Sequence, residues 1–369
     1  MDVLRQPESP RKTVQRIPPL ILSNPEMVAK HTPCSLHLSV LPPELACQLF
    51  YRMIDASKSW KRNKWWLFDR VVESPHLTSF FARKTDGISD DESWQEAAQF
   101  WYNGRKTGAP DVFPPEMEAA CNIIEEIVNN ELRKRTHTYK LEWGRQGGNE
   151  PLWRANVAAS NCYQGGKESV GLHSDQLTYL GPYPTIASLS LGTRRNFSLR
   201  EVIPTEEIGA RKAQTFNIPL AHNSLTIMHA SCQEKFKHSI PPQSAVDIFR
   251  PAFPPKTGVD VAMDSSNCRI NITFRFYRPD FRPASIPRCR CDVPTILRPD
   301  MKNRTDGETD RYFWTCYAGA QNDGKGCNFW KLLNMKEEGR GAWFNQSLGL
   351  NPSTNSPSNP TGNNSHNTK

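Results

Sequence analysis

Residues 269–277, RINITFRFY, decide the reading of this chain. Ile270, Ile272, Phe274 and Phe276 alternate with Arg269, Asn271, Thr273 and Arg275. Side chains two apart on a strand share a face. The pattern predicts a strand with one apolar face and one face carrying two guanidiniums, an amide and a hydroxyl. Such a face is either solvated or built to hold an anion, because the planar arginine fork matches a carboxylate.

Segments of similar texture precede it. RANVAASNCY, TIASLSLGT, NFSLREV and NSLTIMHAS read as short strands separated by Gly, Pro and Asn, as in an antiparallel sandwich, jelly roll or barrel. Two helices come earlier. One follows Pro42 and Pro43 with Leu45, Leu49 and Met53 at helical spacing; the other runs from Pro115 to about Lys134 with Met117, Cys121, Ile124 and Val128 on one side. Residues 241–268 form a long Pro-rich excursion, expected to be either a disordered insert or part of a binding groove. Residues 1–38 and 345–369 are polar and aperiodic, and are expected to be disordered.

The length, 369 residues, allows one large domain or two ordinary ones. No apolar run reaches the ~18 residues of a membrane span, and the first residues lack a signal-peptide core. A soluble, monomeric, intracellular protein is expected, with no membrane partner. The net charge of +8 suits a polyanionic partner without establishing one.

GLHSDQL places His173 and Asp175 two apart on an extended segment, so imidazole and carboxylate project together. EKFKHSIPP offers His238, with His229 as a competitor. Two histidines and a carboxylate form the facial triad of non-haem Fe(II) oxygenases. In enzymes that use 2-oxoglutarate, a cation must meet the far carboxylate of that cosubstrate. Arg269 and Arg275 follow His238 at a suitable distance along the chain.

With NCYQGGKESVGLHSD, PTIASLSLGTRRNFSLR, NSLTIMHASCQEKFKHSIP and RINITFRFY in hand, residues 39–283 resemble the AlkB family of Fe(II)/2-oxoglutarate dioxygenases, in its eukaryotic nucleic-acid repair form. The resemblance implies an α+β, mainly β fold: a double-stranded β-helix (jelly roll) with N-terminal helices. It implies iron on His173, Asp175 and His238, and 2-oxoglutarate contacts from Asn161, Tyr163, Arg269, Asn271 and Arg275. It also implies oxidative dealkylation of 1-methyladenine or 3-methylcytosine in nucleic acid, by hydroxylation of the N-alkyl group and release of an aldehyde. Trp101 and Tyr102 stand where the family's lid carries an aromatic that stacks on the base. Arg194 and Arg195 are either phosphate contacts or solvated hairpin residues. No segment matches the flipping hairpin of duplex-acting members, which favours single-stranded DNA, with RNA as an alternative. A nuclear location that can extend to the cytoplasm is also expected. An RNA demethylase, a protein-modifying oxygenase and a non-catalytic nucleic-acid adaptor are the rival readings.

Cys289, Cys291, Cys316 and Cys327 cluster in residues 284–344, whereas the other six cysteines are scattered. Four thiolates suit a tetrahedral structural Zn(II) site, and so small a module needs the metal to fold. RCRCD, RYFWTC and CNFW resemble a GRF-type zinc finger, which implies contact with single strands. The family's usual Gly after the second ligand is here Asp292. Arg288, Arg290, Arg298, Lys302 and Arg304 form a candidate basic patch, and Tyr312, Trp314 and Trp330 are expected to be exposed for base stacking. Phe313 and Phe329 are expected in the module's core.

Overall fold

A computed structural model of the chain describes residues 17–84, 99–143, 153–256, 262–304 and 310–341. In chain order its strands begin with β1 Leu20–Ile21, β2 Cys34–Leu38, β3 Lys64–Leu67, β4 Arg70–Glu73, β5 Leu77–Ala82, β6 Trp101–Tyr102, β7 Arg105–Lys106 and β8 Asp111–Val112. Then come β9 Val157–Gln164, β10 Val170–His173, β11 Ile186–Gly192, β12 Arg195–Glu201, β13 Thr215–Leu220, β14 Ser224–Met228, β15 Phe236–Ile240 and β16 Cys268–Arg275. Three more, β17 Ile296–Pro299, β18 Tyr312–Thr315 and β19 Trp330–Leu332, belong to the cysteine-rich segment.

Strands β9 to β16 form two facing antiparallel blocks, ordered β14-β11-β16-β9 and β13-β12-β15-β10. Successive strands thus alternate between blocks, except that β12 and β13 are neighbours in one block, which is the jelly-roll arrangement. Strands β2, β5 and β8 extend the first block, and β1 extends the second. The strands expected from sequence fall at these places.

Helices α1 Pro25–His31, α2 Pro43–Ser57 and α3 Pro115–Lys134 precede the jelly roll. Prolines 43 and 115 occupy first-turn positions, where no backbone N–H is needed. Glu116 and Glu118 open α3 while Arg133 and Lys134 close it, matching the helix dipole. Leu49, Phe50 and Met53 of α2 join Met117, Cys121, Ile124 and Val128 of α3 in one cluster with Ile270, Ile272, Phe274 and Leu189. The apolar face of β16 therefore lies under the helices. Its polar face looks into the jelly roll, where Arg269, Asn271 and Thr273 are nonetheless buried.

Expected disorder in residues 1–38 is corrected for 17–38. Asn24 caps α1 by accepting from Met27 N at 2.9 Å, Val28 is fully buried, and β2 pairs with β14. These pieces are too short to carry a visible period, and burial of Leu22, Val28, Cys34 and Leu36 holds them. Residues 1–16 and 345–369 lie outside the described residues. The excursion after β15 docks on α2: Tyr51 Oη donates to Phe253 O (2.8 Å) and Gln48 Nε2 to Pro254 O (2.7 Å).

The cysteine-rich segment shares the second block's core. Leu297, Tyr312, Trp314 and Leu333 pack in the same cluster as Leu180, Tyr183, Phe281 and Phe197. Tyr312 and Trp314, expected to be exposed, are fully buried; their rings supply apolar area that a small three-stranded sheet cannot supply by itself. Trp330 is exposed, and its ring stacks on the half-buried Phe313 with centroids 5.9 Å apart.

Candidate active site

His173 ends β10 and His238 lies in β15, directly opposite in the strand register, with ring centroids 4.3 Å apart. Asp175, just past β10, sets Oδ1 3.8 Å from His173 Nε2 and 3.4 Å from His238 Nε2. Nδ1 of His173 donates to Gly171 O (2.8 Å), which leaves the Nε2 lone pair for the cluster. The three ligand atoms lie within 4.8 Å of one another, as two imidazoles and a carboxylate around one ion require. His229 stands outside this group and pairs through Nε2 with Ser35 Oγ at 3.0 Å.

Asp175 is held at its backbone and at its carboxylate. Gln233 Oε1 accepts from Asp175 N (2.8 Å), and Arg275 donates through Nε and Nη2 to Oδ2 at 3.1 and 2.8 Å. Oδ1 is left facing the histidines. Burial works to raise the Asp175 pKa, but Arg275 and His238 outweigh it and hold the carboxyl well below the usual carboxylate range. Arg275 is thus paired with the Asp175 carboxylate and lines the same cavity as Arg269.

The register of β9 against β16 assembles the rest. Asn161 faces Asn271, and Tyr163 faces Arg269. Asn271 Nδ2 donates to Ser188 Oγ and Leu189 O, while Asn161 Oδ1 accepts from Thr78 Oγ1. Arg269 is 1% exposed. Its Nη2 donates to Ser190 Oγ at 2.8 Å, and the Tyr163 ring lies 5.3 Å from its guanidinium carbon. Nε and Nη1 are buried with no hydrogen-bond partner of acceptable geometry among the described residues. Burial pulls its pKa down to about 10, so it stays a cation at neutral pH. A buried guanidinium with two unmet donors is a site for an anion. The far carboxylate of 2-oxoglutarate fits that donor set.

These residues line one cavity of about 920 Å³ that also takes in Trp101, Tyr102 and His76. Trp101 and Tyr102 are half-buried on the β6–β7 hairpin; Trp101 N donates to Tyr179 Oη (2.9 Å) and the Tyr102 ring meets Phe80 edge-on. Exposed Lys237, Arg298 and Lys302 stand on the rim.

Several parts were not read from sequence. His76 stacks on Tyr163 at 5.1 Å, and nothing in the HLT stretch marks it. Arg195 is buried, donating to the carbonyls of Gly165, Gly166, Glu168 and Pro241, so it is neither solvated nor a phosphate contact. Its neighbour Arg194 is exposed and pairs with Asp247 at 3.0 Å. A hairpin absent from the sequence reading, β3–β4, carries Phe68 at its turn with φ +57° and 89% exposure.

Cys289, Cys291, Cys316 and Cys327 form a second cluster, with all four Sγ atoms within 4.8 Å of one another. Tetrahedral Zn(II) with Zn–S of ~2.3 Å fits that spacing. Ala318 N donates to Cys316 Sγ at 3.4 Å, the kind of amide contact that steadies a thiolate ligand. Asp292 has φ +57°, the left-handed region that favours glycine, and Arg288 Nε grips its carboxylate at 2.6 Å.

Residues 40–275 match the model of the 2OG-Fe(II) oxygenase superfamily. Mouse alpha-ketoglutarate-dependent dioxygenase alkB homolog 3 is 34% identical over 134 residues, 36% of this chain and 40% of that protein. The human DNA oxidative demethylase ALKBH2 is 32% identical over 91 residues, 25% of this chain and 35% of that protein. The matched stretch thus spans about two fifths of the first of these relatives, 40%, and less of the second. The solved structure of OsALKBH1 superposes with a TM-score of 0.40 at 14% identity, covering 67% of this chain and 99% of that one, too loose a likeness to carry an argument.

Proposed function

Because the chain belongs to the 2OG-Fe(II) oxygenase superfamily, we propose that it removes N-alkyl groups oxidatively from bases in nucleic acid, with 1-methyladenine and 3-methylcytosine in single-stranded DNA as its substrates. The observation that carries the reading is Arg269, a buried guanidinium with two donors unpartnered among the described residues, which lines the cavity shared with His173, Asp175 and His238. When bound there, Fe(II) and 2-oxoglutarate supply dioxygen activation coupled to decarboxylation of the keto acid to succinate.

The chain's own residues do the rest. Asn161, Tyr163 and Asn271 shape the wall beside Arg269. Arg275 fixes the Asp175 carboxylate. Trp101 and Tyr102 offer aromatic rings to the cavity that His173 also lines, suited to a base held out of its stack. Lys237, Arg298 and Lys302 give the rim a positive edge for phosphates. A Zn(II)-bound GRF-type module, contributing two of those three cations, would assist strand binding.

Incubation with a 1-methyladenine oligonucleotide should release succinate and formaldehyde, and His173→Ala should abolish both. Succinate release that ignores every methylated DNA and RNA offered would refute the reading. Phe68 favours a second substrate form: an exposed aromatic at a hairpin tip is the kind of wedge that unstacks a duplex. Turnover of duplex substrate that falls in Phe68→Ala, with single-strand turnover kept, would select it.

A further inference from the structure

The cavity mouth is bordered by two hairpins that are weak by themselves. β6 and β7 pair over two residues each, and β3 and β4 over four. Isolated two-stranded hairpins are marginal in water. Both are met by the loop between Cys316 and Cys327.

Gln321, in that loop, donates from one amide nitrogen to Lys64 O of β3 at 3.0 Å and to Asn103 O at the β6–β7 turn at 2.9 Å. One side chain therefore ties both hairpins. The backbones also touch. A Cβ placed on Gly104, whose φ is +73°, would lie 2.5 Å from Tyr317 O, so only glycine lets the β6–β7 turn seat on the loop. A Cβ on Gly324 would lie 3.0 Å from the Trp66 indole. The loop runs between Cys316 and Cys327; Cys316 N donates to Phe329 O across its base, and Gly324 N donates to Gly319 O within it. From the first cysteine pair, the Arg288 guanidinium lies 5.7 Å from the centre of the Trp101 ring.

We infer that the four-cysteine cluster is a brace for the cavity lid, in which Gln321 is a positioning residue that locks the β3–β4 and β6–β7 hairpins, and so Trp101 and Tyr102, over the iron site. A tethered strand grip would not need to touch either hairpin. Zn(II), the ion that fits the cluster, would act by fixing the loop that presents Gln321.

Amide hydrogen exchange on the full chain tests this without any substrate. Gln321→Glu removes the shared donor and keeps the size; exchange in residues 64–73 and 101–106 should rise about tenfold, the scale of one lost hydrogen bond. Gln321→Lys, which restores a donor, should recover most of the protection. Cys291→Ser should loosen both hairpins and lose zinc, whereas Gln321→Glu should keep its zinc when the metal is counted after thiol release. Unchanged exchange in Gln321→Glu overturns the brace. A second arm, resting on the functional reading above, measures a methylated trinucleotide too short to reach a remote grip: KM should rise several-fold with kcat held. If the wild type turns over no methylated substrate, the functional reading fails and the exchange result still decides the brace.

Discussion

Arg269 shows how much one side chain can reveal. It is 1% exposed, it is charged, and two of its nitrogens are unmet among the described residues. A lone buried cation costs several kcal/mol, at least partly offset by a bound anion. Arg269→Met should therefore raise the unfolding midpoint of cosubstrate-free protein while abolishing the stabilisation that 2-oxoglutarate gives the wild type. That stabilisation should be about 2.7 kcal/mol at a hundredfold excess over Kd. Thermal unfolding with and without the keto acid, iron replaced by a redox-inert divalent ion, checks both halves; a wild type that gains nothing would remove the anion site. Arg269→Lys keeps charge without the fork, and its KM for 2-oxoglutarate should rise roughly 10- to 100-fold, as for loss of a charge-assisted hydrogen bond. The alternation of RINITFRFY made this face legible, since period two fixes which residues share it. The partner of each arginine was not legible. Arg275 turned to Asp175, one hundred positions away in sequence, and Arg195 turned inward while Arg194 turned out, because strand register decides such matters and register depends on long-range pairing.

Elements differed in how plainly they could be read. Helix α3 was visible because twenty residues repeat an apolar stripe and begin with proline. The β3–β4 hairpin was invisible: its turn, Phe68-Asp69, puts a bulky residue at φ +57°, where glycine or asparagine would have signalled it. The β6–β7 hairpin has the strong Asn103-Gly104 signal, but two-residue strands gave it no flanking period. The junction between the jelly roll and the cysteine module was likewise hidden, and it carries a titratable group. Glu234 is buried, receives Tyr183 N and Tyr312 Oη at 3.0 and 3.1 Å, and burial lifts its pKa from 4.5 to about 7. The folded state thus keeps a proton that the unfolded state gives up, between pH 4.5 and about 7. Stability should fall as pH rises through that window and level off above it, by on the order of 3 kcal/mol at most for this group. Glu234→Gln should flatten that part of the profile and be the more stable protein above pH 7. Urea midpoints at half-unit pH steps, wild type against variant, decide it; parallel profiles would count against a protonated Glu234.

At the scale of the molecule, the sequence suggested a catalytic domain followed by a separate metal module, and packing joins them. Trp314 and Tyr312 are fully buried in a cluster that includes Tyr183 and Phe281 of the catalytic part, and Arg340 lies 4.4 Å from the centre of the Phe281 ring. Composition could not reveal this, because ten basic and eight acidic residues in 284–344 and a handful of aromatics are what a free-standing finger would also show. The distinction has a thermodynamic consequence. An independent module would unfold in its own transition, set by its metal, and leave the rest unchanged. A module that shares a core transmits its loss, because freeing Trp314 and Tyr312 uncovers apolar surface on the jelly roll worth about 25 cal/mol per Å². Calorimetry of the zinc-loaded protein should therefore give one cooperative transition whose calorimetric and van't Hoff enthalpies agree. Cys291→Ser should move that whole transition to lower temperature instead of splitting off a small early one, and truncation before residue 284 should yield a chain that aggregates through the uncovered patch. Two resolved transitions, with the larger unmoved by Cys291→Ser, would restore the picture of a tethered finger and leave the cavity wall formed by Leu297 and Phe313 without its support.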